Sequence, residues 1–472
     1  MQNQSHDHNV LDTSRIGSLL MKLSTPLFFG MFIQGIYQVV DTIFIGRYVG
    51  SDALAALSII MPIQMLIMGA GNMVSVGGAS LISRLIGQRE KHRAERALGN
   101  SIFFAMLFSL ILTAAFVPFT DFWLKVIGTS DNVMPLAKSY TVITMSGTIF
   151  NITNAVLLSM ARAEGNARVS MVSMLIQSLL NMILDAIFMI PLHMGISGAA
   201  LAMIISQATS VSYVLVYYLS GDSYLKIAWR NLIPDVRVVR SIFIIGVSQF
   251  LKSIVDCASS LVLVKMVSKY GGDIGLSTFS VTQRVMMFAS MPSMVLGQAM
   301  QPILGFNYGA KRFRQALKSI KLSLLASSAL GIAALIVLLA IPQPIIRIFT
   351  SDPKLIEAAT ISFRIMFLGL PLFGFFNVSQ LVFPSTGKAL PTLLISVLRP
   401  LCFIGPAALL LSYLFQMRGV WLTFPVSDTL AFFLVLAFLI PLIIKFHKAA
   451  REESNAAFTG VKPRLDTDTK IV

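Results

Sequence analysis

Four carboxylates stand where the chain is otherwise apolar: Asp41, Asp185, Asp256 and Asp428. On insertion scales a carboxylate at the centre of a membrane helix costs about 2.5–3.5 kcal/mol, and less near a helix end, so one that is retained is expected to face a cavity and bind something there. Their polar neighbours fall on shared helical faces. Gln34, Gln38 and Asp41 are spaced i, i+4, i+7, with Tyr37 beside them. Gln177, Asn181 and Asp185 are spaced i, i+4, i+8, and Gln249, Lys252 and Asp256 i, i+3, i+7. Carboxylates lined up with amides exchange protons or small cations. Asn181 can donate to a carboxylate or offer its carbonyl to a cation, and Lys252 and Asp256 can form an internal ion pair.

Each of these residues also has a plainer reading. Asp41 is followed closely by Gly46 and Arg47 and could mark a membrane boundary. Asp185 lies shortly before Pro191, Asp256 with Lys252 could only fix helix packing, and Asp428 could be a polar contact between helices. Arg284 and Arg399 read as gate, packing or snorkelling residues. The shared stripes favour a functional role for Asp41, Asn181 and Asp185, with Gln34, Tyr37 and Gln38. A second candidate set for ion or substrate comprises Asp256, Lys252, Gln177, Gln249, Arg284, Arg399 and Asp428. Pro26 removes a backbone hydrogen bond early in the first apolar block and gives it a place to bend.

The elements that must hold these side chains are membrane helices. Of 472 residues, 56% are hydrophobic and 12% charged, where a soluble chain would carry roughly twice that charge. The mean hydropathy is +0.78. Crossing the hydrocarbon layer takes about 20 apolar residues. Twelve such blocks occur, near 16–44, 53–82, 99–120, 133–160, 169–191, 197–219, 241–268, 276–304, 320–345, 358–384, 390–415 and 420–445. The chain is therefore expected to be an all-α polytopic membrane protein.

The first 15 residues, with Asp7 and Asp12, lack the basic start and cleavage site of a secretory signal, so the first span is expected to act as its own insertion signal. Cys257 and Cys402 both fall within spans, which leaves no disulfide framework or zinc pattern. The five histidines fall in tails, loops or span ends. No clustered metal site or cofactor is expected from these residues. The net charge of +16 is concentrated in alternate connections, notably Arg84, Arg89, Lys91, Arg93 and Arg96, then Lys311, Arg312, Arg314, Lys318 and Lys321. This asymmetry is the positive-inside rule, with basic loops attracted to anionic lipid, and nucleic acid need not be invoked. Both termini are then expected on the cytoplasmic side.

The two halves resemble each other at a steady offset. Thr129-Ser130-Asp131 returns as Thr350-Ser351-Asp352, Gly165 pairs with Gly387 and Gly198 with Gly419. "GQREKHRAERAL" matches "GAKRFRQAL" with a deletion. Six spans per half make the repeats parallel. An N-lobe of residues 1–230 is expected, with the polar connection continuing to about 240, and a C-lobe of 231–472 with a polar tail. Two such lobes suit alternating access, and a complete two-lobed chain can work as a monomer.

"STPLFFGMFIQGIYQVVDTIFIGRYVGSDALAALSI" resembles the opening of multidrug and toxic compound extrusion (MATE) transporters, and "LLNMILDAIFMIPLHMGISGAALA" resembles their fifth and sixth spans. "GQAMQPILGFNYGAKR" and "GVWLTFPVSD" are similar to the second half of the MepA and DinF-like bacterial branch. The similarity covers roughly residues 15–448. It implies the MATE fold and an antiporter of a bacterial cytoplasmic membrane that expels organic, mostly cationic, lipophilic compounds in exchange for H⁺ or Na⁺. It places the family's coupling residues at Asp41, Asn181 and Asp185 and an acidic residue of the seventh helix at Asp256. Met203 stands where some relatives carry a hydroxyl.

Two rival classes are weighed against this reading. A lipid-linked precursor flippase of the same superfamily would need a basic cavity for pyrophosphate, whereas the stripes here are mainly acidic. An intramembrane enzyme would need a His-, Cys- or Ser-based catalytic constellation within the spans, and the sequence presents none.

Overall fold

Apolar segments of this length can satisfy their backbone N–H and C=O groups in a bilayer only as helices or closed barrels, and this chain forms helices. The computed structural model describes residues 10–459, and among them no strand occurs. The residues before 10, including Asp7, and the end of the polar tail beyond 459 lie outside the described residues.

The first span is Ile16–Phe44, continued by a π-helical turn, Ile45–Val49. The second is Ser51–Gly87 and the third Lys91–Phe116. The fourth is a pair, Met134–Ser146 and Thr148–Ala163, bent by 49°. The fifth and sixth are Ala167–Met189 and Gly195–Leu219. Val236–Gly309 comprises 74 residues, which as one straight rod would be about 110 Å long, several times the hydrocarbon thickness. It is broken at Gly272, whose φ of 55° glycine tolerates, into the seventh and eighth spans. The ninth is Phe313–Ala340 and the tenth Pro353–Ser385. Ala389–Glu453 is broken at Gln416 into the eleventh and twelfth. Among the described residues this gives twelve spans. The helices run past several of the apolar blocks, and the third begins at Lys91, inside the basic connection.

The repeat recurs in the backbone. Left-handed conformations at Gly50, Arg89 and Gly165 return 222 residues later at Gly272, Lys311 and Gly387. Short helices Thr120–Ile127 and Pro342–Arg347 begin at the same offset. Two compact units result. One comprises Thr25–Ser253 with residues 10–12, and the other Thr13–Ser24 with residues 254–459.

Within the first unit, small residues set how closely helices approach. A side chain at Gly30 would meet Met174 Sδ at 2.9 Å and the Met171 Cα at 3.4 Å, so the first and fifth spans touch there. A side chain at Gly147, at the bend of the fourth span, would lie 2.3 Å from Ile204 Cγ1 of the sixth. In the second unit the core includes Phe363, Phe367 and Leu370 of the tenth span packed with Val285 of the eighth and Leu338 of the ninth.

Candidate functional site

The contact at Gly30 sets the register of the site. Asp41 lies eleven residues after Gly30, and Asp185 eleven after Met174. Eleven residues are close to three helical turns, so each carboxylate lies on the face that makes the Gly30–Met174 contact, about 16 Å further along. Both spans are odd-numbered and run in the same direction, so the two carboxylates converge. They stand within hydrogen-bonding reach of each other. Asp185 is fully buried and Asp41 half-buried.

Asn181 completes the group from the fifth span. Oriented so that donors meet acceptors, its Nδ2 donates to Asp185 Oδ2 at 3.0 Å and its amide oxygen accepts from the backbone N–H of Met203 at 3.1 Å. The sixth span thus contributes main chain where its side chain offers none, and the small residue at Gly147 allows the neighbouring Ile204 to come in. Asp185 Oδ1 has no donor among the described residues. Two carboxylates that meet in this way repel when both are ionised, and a single proton between them removes the repulsion.

Two tyrosines surround the pair. Tyr37 lies one turn before Asp41, close enough to feel both carboxylates. Tyr140 of the fourth span is almost fully buried, is hydrogen-bonded to Gln64 of the second, and feels Asp41, Asp185 and Tyr37. Neither Tyr140 nor Gln64 was singled out from sequence. Gln64 was detectable as an amide within an apolar block, whereas a tyrosine within a span carries no such signal.

The remaining stripe residues do not all join. Gln38 is exposed, and its side chain has no hydrogen-bond partner among the described residues; its carbonyl accepts from Thr42 Oγ1 at 2.8 Å. The expected amide partner of Asp41 is therefore not Gln38. Gln34 is half-buried. Gln177, one turn from Asn181, is held in a separate network: Asn154 Nδ2 donates to its Oε1 at 2.8 Å, and Asn154 Oδ1 accepts from Ser210 Oγ at 3.1 Å. Pro26 lies within a continuous helix, and the irregular turn nearest Asp41 is the π-helical one at Ile45–Val49.

In the second unit, Asp428 is paired. Arg399 donates to Asp428 Oδ1 from Nη2 at 2.6 Å and from Nε at 3.2 Å, and its guanidinium lies over Phe373 and Phe376 at 4.9 and 5.2 Å. With Asp428 2% exposed, this buried charge carries its own counter-ion. Lys252 and Asp256 are half-buried one turn apart in the seventh span, and each takes part in a polar or electrostatic interaction. Gln249 and Arg284 are half-buried in the seventh and eighth spans. Among the described residues, no group of three or more His, Cys, Asp or Glu could hold a metal ion.

Comparison with known proteins agrees with this architecture. The MatE family model matches the chain twice, over residues 26–187 and 249–408. The multidrug export protein MepA of Staphylococcus haemolyticus (strain JCSC1435) is 26% identical over 425 residues, which cover 90% of this chain and 93% of that protein. Among solved structures, a MATE in complex with MaL6 gives a TM-score of 0.89 at 22% identity, covering 93% of this chain and 99% of its own. An outward-facing multidrug resistance MATE family transporter of the MOP superfamily gives 0.88 at 22% identity, covering 93% and 98%.

Proposed function

The chain belongs to the MatE family, and from that premise we propose that it is a multidrug efflux antiporter that expels organic, mostly cationic, lipophilic compounds in exchange for protons by alternating access. The observation that carries the reading is the meeting of Asp41 and Asp185, with an Asp185 oxygen that no donor among the described residues satisfies. Ionised, the pair attracts an organic cation. A proton taken up between the carboxylates halves their negative charge, weakens that attraction, favours release of the cation and biases the chain toward its other conformation. Ion and drug compete for negative charge, so no bond of the drug is made or broken and no cofactor is needed. The export activity of the MepA relative accords with this cycle.

Protons are favoured over sodium by the setting of Asn181. Its NH₂ faces Asp185 and its oxygen already accepts from the Met203 N–H, so it offers at most one lone pair of one oxygen to a hard cation that requires several oxygens. Asp256, Lys252, Gln249 and Arg284 are proposed as further ion- or substrate-contacting groups, and the Arg399–Asp428 pair as a fixed structural one. The protein is placed as a monomer in a bacterial cytoplasmic membrane, with both termini inside.

The test is efflux of a fluorescent cationic dye from proteoliposomes under a pH gradient alone and a Na⁺ gradient alone. Dye movement driven by the pH gradient only is expected. Movement driven only by sodium would overturn the proton assignment, and movement under neither would overturn the antiport.

A further inference from the structure

The connection between the two repeats, which leaves the sixth span at Leu219 and enters the seventh at Val236, is strapped to the first unit at two places. The later place cannot titrate. Asn100, fully buried, donates from Nδ2 to the carbonyls of Asn231 and Ile233 at 3.0 and 3.1 Å and accepts from the Asp235 N–H at 2.8 Å. A side chain on the adjacent Gly99 would lie 2.3 Å from the Asn231 carbonyl oxygen.

The earlier place is built on a carboxyl. Glu164, 5% exposed in the turn between the fourth and fifth spans, accepts from Tyr217 Oη at 2.7 Å through Oε1. Its Oε2 accepts from Ser223 Oγ at 2.8 Å and the Leu225 N–H at 3.3 Å, and the Tyr224 N–H adds another donor. Asn166 Nδ2 holds the Tyr217 hydroxyl at 3.1 Å.

We propose that Glu164 is a proton-operated clasp: protonated, it holds the connection between the repeats onto the first unit, and ionised, it loosens it. None of the ion pairs among the described residues includes Glu164. Of the charged and titratable groups on the surrounding elements, Arg168 at the start of the fifth span is exposed, and Asp222 accepts from Ser220 Oγ at 2.9 Å. Arg162 donates to Ser159 Oγ at 2.6 Å, and Lys91 lies over the Tyr224 ring at 4.7 Å. Glu95 Oε1 accepts from the Lys226 N–H at 3.4 Å, and the Tyr217 hydroxyl of the sixth span is itself a donor to Glu164. Asp12 follows Leu11, which packs at Gly165 and adds no positive charge there. Docking therefore takes a carboxyl out of water with donors but no counter-ion, which favours its neutral form. Lifting residues 223–225 returns it to water, where ionisation is free. Burial pushes Glu164 up to about 7, against the pull of the Tyr217 and Ser223 hydroxyls and the Leu225 and Tyr224 N–H groups. The clasp thus responds in the range where a cell regulates pH.

Hydrogen–deuterium exchange of the purified full chain in lipid nanodiscs tests this without any transport measurement. With exchange times scaled for intrinsic rate, protection of peptides within 221–228 is expected to fall about tenfold between pH 6 and pH 8. Glu164→Gln is expected to keep the low-pH protection at both values, and peptides within 231–235 to be unchanged in both proteins. Tyr217→Phe, which removes a donor to the ionised carboxylate, is expected to move the midpoint to higher pH. Protection of 221–228 that does not change with pH in the unsubstituted chain, or a fall that persists in Glu164→Gln, would overturn the clasp.

Discussion

Replacing Asp185 by Asn removes one oxygen of the carboxyl pair while preserving its shape. Two unit charges about 4 Å apart repel by about 4 kcal/mol at an effective dielectric of 20. That is nearly a thousandfold bias against double ionisation, so the pair shares one proton rather than titrating as two independent groups. With one partner neutral, the remaining aspartate has no competitor for its charge, and proton uptake no longer switches the site. Gradient-driven dye accumulation by Asp185→Asn is therefore expected to fall at least tenfold, to the level of vesicles without a gradient, and Asp41→Asn to do the same. Because both act on one shared proton, the double variant should be no worse than either single one. Folding should be preserved or improved, since a neutral amide avoids up to about 3 kcal/mol of insertion cost. The assay pairs proteoliposome dye transport with thermal unfolding of the same preparations. Full transport by either single variant would refute the shared-proton argument, as would losses that multiply in the double variant.

Gln38→Ala should change transport less than twofold, because Gln38 is exposed and makes no side-chain hydrogen bond among the described residues; the same proteoliposome assay checks this. Arg399→Ala should destabilise the protein by about 3–5 kcal/mol by stranding the buried Asp428 charge, whereas Arg399→Met with Asp428→Leu should be nearly neutral; unfolding in denaturant measures both. Gly147→Val should lower stability by about 1–3 kcal/mol, since its side chain would overlap Ile204, and the loss should be visible as a lower unfolding temperature. Glu164 has a folded-state value of about 7 against an ordinary 4.5. Its contribution to stability is therefore full below 4.5 and lost as pH rises through 7, on the order of 3 kcal/mol; unfolding followed from pH 5 to 8 should show that loss in the unsubstituted chain and not in Glu164→Gln.

Much of this protein is written locally. Helical spans follow from apolar runs, because a bilayer leaves the backbone few other ways to satisfy its hydrogen bonds, and the stripe of Asn181 and Asp185 follows from a period of 3.6 residues. The offset of about 222 residues is likewise visible in the sequence, and returns as left-handed residues at matching positions. The rest depends on which helices touch. Gly30 against Met174 puts Asp41 beside Asp185, a fact of packing between spans that no one-dimensional period encodes. The same is true of Tyr140 and Gln64, which lie on two other helices, and of Asp428, whose counter-ion is 29 residues away at Arg399. Asn181 is legible as an amide one turn from Asp185, but its orientation is fixed by the Met203 N–H of the next span. Glu164 reads in sequence as an ordinary acid in a turn. It becomes a buried carboxyl only because the chain returns some sixty residues later to cover it, and burial is a property of what lies across space rather than along the chain.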